Sequence, residues 1–205
     1  MGLYARYVLP KLIDAACAQP PMTELRSRYV PQAEGDVLEI GIGSGLNLPH
    51  YTERARSVTG LDPHAELTVL ARRRAAQATP EVDVLQISGE EIPAEDARFD
   101  TIVCTWTLCS IPNVYRALKE MHRVVKPGGR FYFVEHGLSP DEGVQAWQRR
   151  IEPLWKIIGG GCHLTRKADA LIQDAGFVLP EVESGYQPGP RWAAYMTHGV
   201  AVKPR

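Results

Sequence analysis

The chain has 205 residues, 44% hydrophobic and 23% charged, with a formal net charge of -1. That suits one α/β domain with a sizeable core and excludes disorder as its general state. No basic surplus points to nucleic acid. Cys17, Cys104, Cys109 and Cys162 form no C-x-x-C pair, so a zinc motif, a redox motif and a disulfide framework are not expected, and a reducing, cytoplasmic setting is.

Residues 1–30 read as a helical segment. "MGLYARYVLPKLIDAACAQPP" is mildly amphipathic, with Tyr4, Tyr7, Val8, Leu12 and Ile13 able to share one sticky face. Arg6, Pro10, Lys11 and Asp14 interrupt it. It therefore lacks a signal peptide's apolar core and the roughly 18 apolar residues of a membrane span. It is expected to pack on its own domain or act as a lid. A peripheral membrane contact is the sharper alternative.

Residues 31–205 read as a single domain in which strands alternate with helices. "DVLEI" is a buried strand, "LPHYTERA" a short helix, and "SVTGLD" a second strand ending in an acid. "PHAELTVLARRRAAQA" is a helix with Leu67, Leu70 and Ala71 at helical spacing. Its Arg72–Arg74 run reads as a solvated face. "VDVLQIS" and "FDTIVCTW" are strands three and four. "VYRALKEMHRVV" is a helix stopped by Lys126-Pro127-Gly128-Gly129, and "RFYFVEH" is strand five.

Beyond strand five the pattern changes, and about 138–175 reads as a helical substrate-side insertion. "DEGVQAWQRRIEPLWKII" is amphipathic, and Pro153 should kink it. "TRKADALIQDAGF" is a helix with Thr165 as N-cap and Gly176 as its stop. "LPEVESGY" and "RWAAYMTHGVAVK" close the chain as an antiparallel edge hairpin. The fold expected is a Rossmann-like, doubly wound, mostly parallel seven-stranded sheet.

In such sheets ligands bind beyond the carboxyl ends of the strands. That singles out Gly41–Asn47, Asp62, Ser88–Glu91, Thr105–Ser110 and His136. The glycines of "VLEIGIGSGLNLPHY" run G-x-G-x-G, and Leu46 stands where a dinucleotide fingerprint needs its third glycine. No P-loop is present. A helix N-terminus after such a turn suits a carboxylate as well as a phosphate. Glu39, two residues before the first glycine, would repel a pyrophosphate. It could attract an ammonium group or order the turn. Asp62 can accept both hydroxyls of a ribose, Glu90 and Glu91 lie where an adenine edge would be, and Ser88 or Glu90 could bind near it. An amino acid, a ribose and an adenine in that order describe S-adenosylmethionine. An NAD-dependent dehydrogenase is the weaker rival. The expected cofactor contacts are Glu39, Gly41, Gly43, Ser44, Gly45, Asn47, Asp62, Pro63, Ser88, Gly89, Glu90 and Thr105.

At this point the sequence resembles the class I S-adenosylmethionine-dependent methyltransferases. "VLEIGIGSGLN", "VTGLDPH" and "ALKEMHRVVKPGGRFYFVEH" look like their shared motifs. "FDTIVCTWTLCSIPN", "PLWKIIGGGCHLTR" and "HGVAVK" look like the methyltransferase-like 7 group, the thiol S-methyltransferases of animals. The "GC-x-LTR" segment is the most specific, because it lies outside the common cofactor fold. The resemblance covers residues 30–203. It implies methyl transfer to the sulfur of small exogenous thiols or hydrogen sulfide. A quinone-precursor C/O-methyltransferase, a phosphatidylethanolamine N-methyltransferase and a non-catalytic cofactor-binding protein are the alternatives. The animal enzymes carry a hydrophobic N-terminal anchor where this chain has a short, charged, Pro-interrupted segment.

Methyl transfer needs an oriented acceptor and exclusion of water, and no metal. For a thiol the nucleophile is the thiolate, so a base would help. His136, Cys109 and His163 are the catalytic candidates. Cys162 reads as packed or as lining the acceptor pocket. Arg166 could pair with an acidic substrate or with Glu135. Trp106, Trp147 and Trp155 could wall a pocket, although such spacing is usually core. The acceptor is expected to be a small molecule, with no nucleic acid partner, and the oligomeric state is open.

Overall fold

A computed structural model describes residues 8–205. Tyr4 and Tyr7 of the expected sticky face, and Arg6 that interrupts it, lie outside the described residues.

Seven strands form one sheet in the order β3-β2-β1-β4-β5-β7-β6. They are β1 (Gly35–Ile40), β2 (Ala55–Leu61), β3 (Glu81–Leu85), β4 (Phe99–Thr105), β5 (Val125–His136), β6 (Val178–Tyr186) and β7 (Tyr195–Val202). The first five pair in parallel. β7 runs antiparallel between β5 and β6. The expected fold and C-terminal hairpin are therefore present.

Successive residues of a strand point to opposite faces. Leu38, Ile102, Phe131 and Phe133 accordingly pack into one core layer. Val37, Val103, Tyr132 and Val134 pack into the other. Helices cover both faces, which is why these strands are apolar on both sides.

The helices are α1 (Leu9–Cys17), α2 (Pro20–Tyr29), α3 (Ala65–Ala75), α4 (Val114–Val124), α5 (Glu142–Ile158), α6 (Ala168–Asp174) and α7 (Arg191–Ala194). In α4, Val114, Ala117, Leu118, Met121 and Val124 recur at helical spacing and are all buried. Each large side chain so buried contributes roughly 1.5–3 kcal/mol. Asn113 caps this helix by accepting from the Arg116 amide at 3.1 Å.

Four local expectations change. "LPHYTERA" forms only a 3-10 turn, Leu48–His50, because Tyr51 turns extended and its hydroxyl is drawn to Glu39. Thr165 does not cap α6. Lys167 holds the N-cap position, and Thr165 instead gives its amide and hydroxyl to Glu152. α5, with Pro153 inside it, does not bury its apolar stripe as core: Trp147 and Ile158 are exposed, as are Leu154 and Ile157 beside them. Finally, the residues opening the last predicted strand form the short α7.

The strand order reverses between β1 and β4, with β2 and β3 on one side and β5 on the other. This switch point leaves a crevice at the carboxyl ends of the strands.

Candidate active site

A cavity of about 350 Å³ occupies that crevice. The turn after β1 forms one wall. Gly41, Gly43 and Gly45 all have positive φ, at 71°, 55° and 85°, a region that favours glycine. Their side-chain spaces differ. A Cβ on Gly41 would lie 2.1 Å from the Thr107 hydroxyl, and one on Gly45 would lie 3.1 Å from the Ala71 Cα. A Cβ on Gly43 would meet nothing nearer than 3.9 Å. Gly43 therefore shows bare backbone to the cavity, while Gly41 and Gly45 let the turn pack on its neighbours.

Glu39 props this turn from beneath. Its carboxylate is 1% exposed and accepts from Asn47 Nδ2 at 2.9 Å and from the Tyr51 hydroxyl at 2.8 Å. Burial pushes its pKa up to about 7, against the pull of those two bonds. Asn47 Oδ1 accepts from Arg26 Nε at 2.9 Å. Arg26 also donates to the Cys17 carbonyl at 2.6 Å and stacks on the Trp106 ring at 4.6 Å. Burial pulls the Arg26 pKa down, yet its guanidinium lines the cavity.

Asp62 follows β2 on the cavity wall. It accepts from the Gly43 amide at 3.1 Å and from the His64 amide at 2.8 Å. The two oxygens of a carboxylate offer about four acceptor sites, so capacity remains on Asp62. His64 Nδ1 lies 3.0 Å from Asp62, which raises the His64 pKa.

The turn after β4 forms the opposite wall with Trp106, Thr107 and Ser110. Glu135, buried at the end of β5, accepts from the amides of Thr107, Leu108 and Cys109 at 2.9, 3.0 and 3.3 Å. Burial raises its pKa against the pull of those amides. Trp106, just before these three amides, has an unusual φ of 50° and donates its own amide to the Val134 carbonyl at 2.7 Å. The cavity is completed by Ile13, Asp14 and Cys17 of α1 and by Gly159–Gly161 after α5. Two carboxylates, several hydroxyls, bare glycine backbone and a buried guanidinium make a set of acceptors and donors for a zwitterion joined to a ribose, and among the described residues no cluster of cations suits a polyphosphate.

The known proteins agree with this geometry. A model described as "Methyltransferase domain" matches residues 38–133. The rat protein "Thiol S-methyltransferase TMT1B" is 38% identical over 178 residues, 83% of this chain and 71% of the rat one. This chain belongs to the thiol S-methyltransferase family. The human protein of the same name is 34% identical over 82% of this chain and 70% of its own length. A solved structure of the N-methyltransferase NodS from Bradyrhizobium japonicum, in complex with S-adenosyl-L-homocysteine, superposes with a TM-score of 0.71. At 15% identity over 92% of this chain and 90% of that one, it speaks for the fold alone. The chain is thus a class I S-adenosylmethionine-dependent methyltransferase with S-adenosylmethionine as its cofactor.

Of the twelve expected cofactor contacts in this thiol S-methyltransferase relative, Gly41, Gly43, Ser44, Asn47, Asp62, Pro63, Ser88, Gly89 and Thr105 line the cavity. Glu39, Gly45 and Glu90 do not. Glu90 instead bonds the Ser88 hydroxyl at 2.9 Å and the Asn113 amide at 2.7 Å.

The three catalytic candidates do not line the cavity. Cys109 and His136 lie one layer behind it, together with Cys162. His136 Nδ1 is 4.0 Å from Cys109 Sγ and 3.9 Å from Cys162 Sγ. Both thiols are free, and hydrogen bonding between them pushes the Cys109 pKa well up and draws the Cys162 pKa down. Burial acts to lower the His136 pKa, but Cys109 and Glu135 outweigh it. His163 stands apart, 3.2 Å from Glu152.

Arg166 does not pair with an acid in this structure. It donates to the carbonyls of Leu108 and Ile111. Nor is Arg72–Arg74 simply a solvated face: Arg72 reaches the Val84 carbonyl, and Arg74 binds Ser44 O at 2.7 Å and Asp14 at 2.9 Å. Trp106 does wall the cavity. Trp147 and Trp155 lie instead along a separate apolar groove with Trp192. Asp14, Cys17 and Arg26 belong to no local pattern. A buried arginine shows only when the helices are packed.

Proposed function

We propose that this enzyme methylates the sulfur of a small exogenous thiol, and that α1 closes the chamber in which it does so. The observation that carries this reading is the shared cavity. Asp14 and Cys17 of α1 and Gly159–Gly161 face the same space as the glycine turn and Asp62, which favours a small acceptor over a bulky one. The thiol identity of the relatives supports sulfur. Quinone-precursor and aminolipid methylation find relatives at lower identity or over less of the chain.

When bound, S-adenosylmethionine supplies an electrophilic methyl group on a sulfonium centre. In our reading the Gly41–Ser44 turn and Arg26 hold its amino-acid end, with Arg26 opposite the carboxylate. Asp62 holds the ribose. Ser88 and Gly89 flank the adenine beside Pro63. Glu39 and Gly45 act through the turn, and Glu90 acts through Ser88. Thr105, Thr107 and Ser110 wall the acceptor side, positioned by Glu135. Their task is orientation and exclusion of water. Cys109 and His136 act from behind Ser110, and His163 steadies the insertion through Glu152.

We take residues 31–205 as the catalytic domain, 1–30 as its cover, and about 138–175 as the acceptor-side insertion. No helix of the described residues is long and apolar enough to cross a membrane. The exposed Val8, at the N-cap of α1, and Leu12 within it support a peripheral contact with a membrane surface from the cytoplasmic side.

The test is a panel of alkyl, aryl and inorganic thiols with labelled S-adenosylmethionine, scored by mass of the methylated product. Thioether formation is expected. No product from any thiol, with cofactor binding intact, overturns the sulfur reading.

A further inference from the structure

The cofactor cavity does not account for the side chains packed behind Ser110 and Gly161. There Cys109 from the turn after β4, His136 at the end of β5 and Cys162 after α5 bring one ligand atom each within 4.8 Å of one another. The sulfur-to-nitrogen separations of 4.0 and 3.9 Å are long for a hydrogen bond. They approach the edge of a coordination tetrahedron. Metal–sulfur bonds of ~2.3 Å and metal–nitrogen bonds of ~2.0 Å at tetrahedral angles set neighbouring ligand atoms roughly 3.5–3.8 Å apart.

We propose that Cys109, His136 and Cys162 form a three-ligand site for a borderline-soft divalent cation, with zinc as its type. The chemistry fits: thiolate and imidazole together select zinc over the hard cations. Two thiolates and a neutral imidazole balance a divalent charge, which suits a buried place. Glu135 accepts from three backbone amides and from the Cys104 thiol, which fills its roughly four acceptor sites, so it does not supply a fourth ligand. The nearest polar side chain leading outward is Ser110, whose hydroxyl lies 3.5 Å from Cys109 Sγ and whose residue lines the cavity. The fourth position therefore falls to water or a small ligand. Three protein ligands with one open place is the pattern of reactive rather than purely structural zinc. A thiol reaching that place would bind as its thiolate, its proton passing to solvent. That extension rests on the thiol reading above, whereas the metal site does not.

The full-length reduced protein is loaded with zinc, desalted and analysed for metal. One zinc per chain is expected, lost in Cys162→Ser and His136→Ala and kept in Cys17→Ser. Cobalt in place of zinc should give thiolate-to-metal charge-transfer absorption that Cys162→Ser abolishes. Without any substitution, zinc should slow alkylation of Cys109 and Cys162, read by peptide mass, and leave Cys17 unaffected. No retained zinc, retention unchanged in both variants, or alkylation indifferent to zinc overturns the site. Zinc retention with no thiol product would leave the metal site standing and overturn the sulfur reading.

Discussion

The carboxylate of Asp14 on α1 accepts a hydrogen bond from Arg74 on α3 at 2.9 Å, and a second from the hydroxyl of Ser44 in the glycine turn. Burial alone would raise the Asp14 pKa, but these partners outweigh it and hold the carboxylate ionised. Arg74 also grips the Ser44 carbonyl. One acid thus ties the N-terminal helix to the wall of the cofactor cavity.

Asp14→Ala should therefore loosen the cover more than the fold. Both side chains of the ion pair are partly exposed, at 35% and 28%, so the stability loss should be about 1 kcal/mol or less. Dissociation of S-adenosylhomocysteine, followed by stopped flow, should be several-fold faster. An unchanged off-rate would show that α1 does not gate the cavity.

Gly41→Ala and Gly43→Ala should part company. Both impose a side chain on positive φ. Alanine at 41 also collides with Thr107, whereas alanine at 43 projects into the open cavity. Thermal melts should show the larger loss for Gly41→Ala. Calorimetric titration should show lost cofactor affinity in Gly43→Ala while the protein remains folded. Full affinity in Gly43→Ala would mean that the cofactor does not approach this backbone.

Asp62→Ala removes a charged acceptor from the cavity wall. Hydrogen bonds to charged groups contribute roughly 1.5–3 kcal/mol. Cofactor affinity should fall about 10- to 100-fold at unchanged acceptor KM. Equal affinity in the two proteins would remove Asp62 from the ribose.

Glu39 should give the apo protein a pH dependence. Its folded pKa of about 7 stands above the ordinary 4.5, so the folded state holds this proton more tightly than the unfolded state. The contribution to stability is complete below about 4.5, declines as pH rises toward 7, and is flat above. Glu39→Gln lacks that proton. The difference in Tm between wild type and Glu39→Gln should therefore shift in favour of the variant across this window. A difference independent of pH would show that Glu39 is not protonated there.

The cofactor half of the site was legible because it is local. Glycines at alternate positions after a strand, and an acid ending the next strand, carry their meaning within a few residues. Asp62 and Gly43 reach the cavity for that reason. Glu39 was legible as a residue of the turn, but its place beneath the turn was not, since that depends on Tyr51 and Asn47 folding back over it. Glu135 was legible only as a possible partner of Arg166. Its task of gathering three amides from the turn after β4 depends on strand register, which pairs Thr105 with Val134.

By itself, then, the sequence determined the alternating strands and helices, the glycine turn and the acid that line the cavity, and the family. These follow from periodicity and from backbone conformations that glycine permits. Only the tertiary structure decided that α1 lines the cavity, that Arg26 is buried beside it, and that Cys109, His136 and Cys162 come together. Such contacts join residues dozens of positions apart. They exist because packing two helical layers onto a twisted sheet brings distant loops to the same edge, and no local pattern encodes which loops those are.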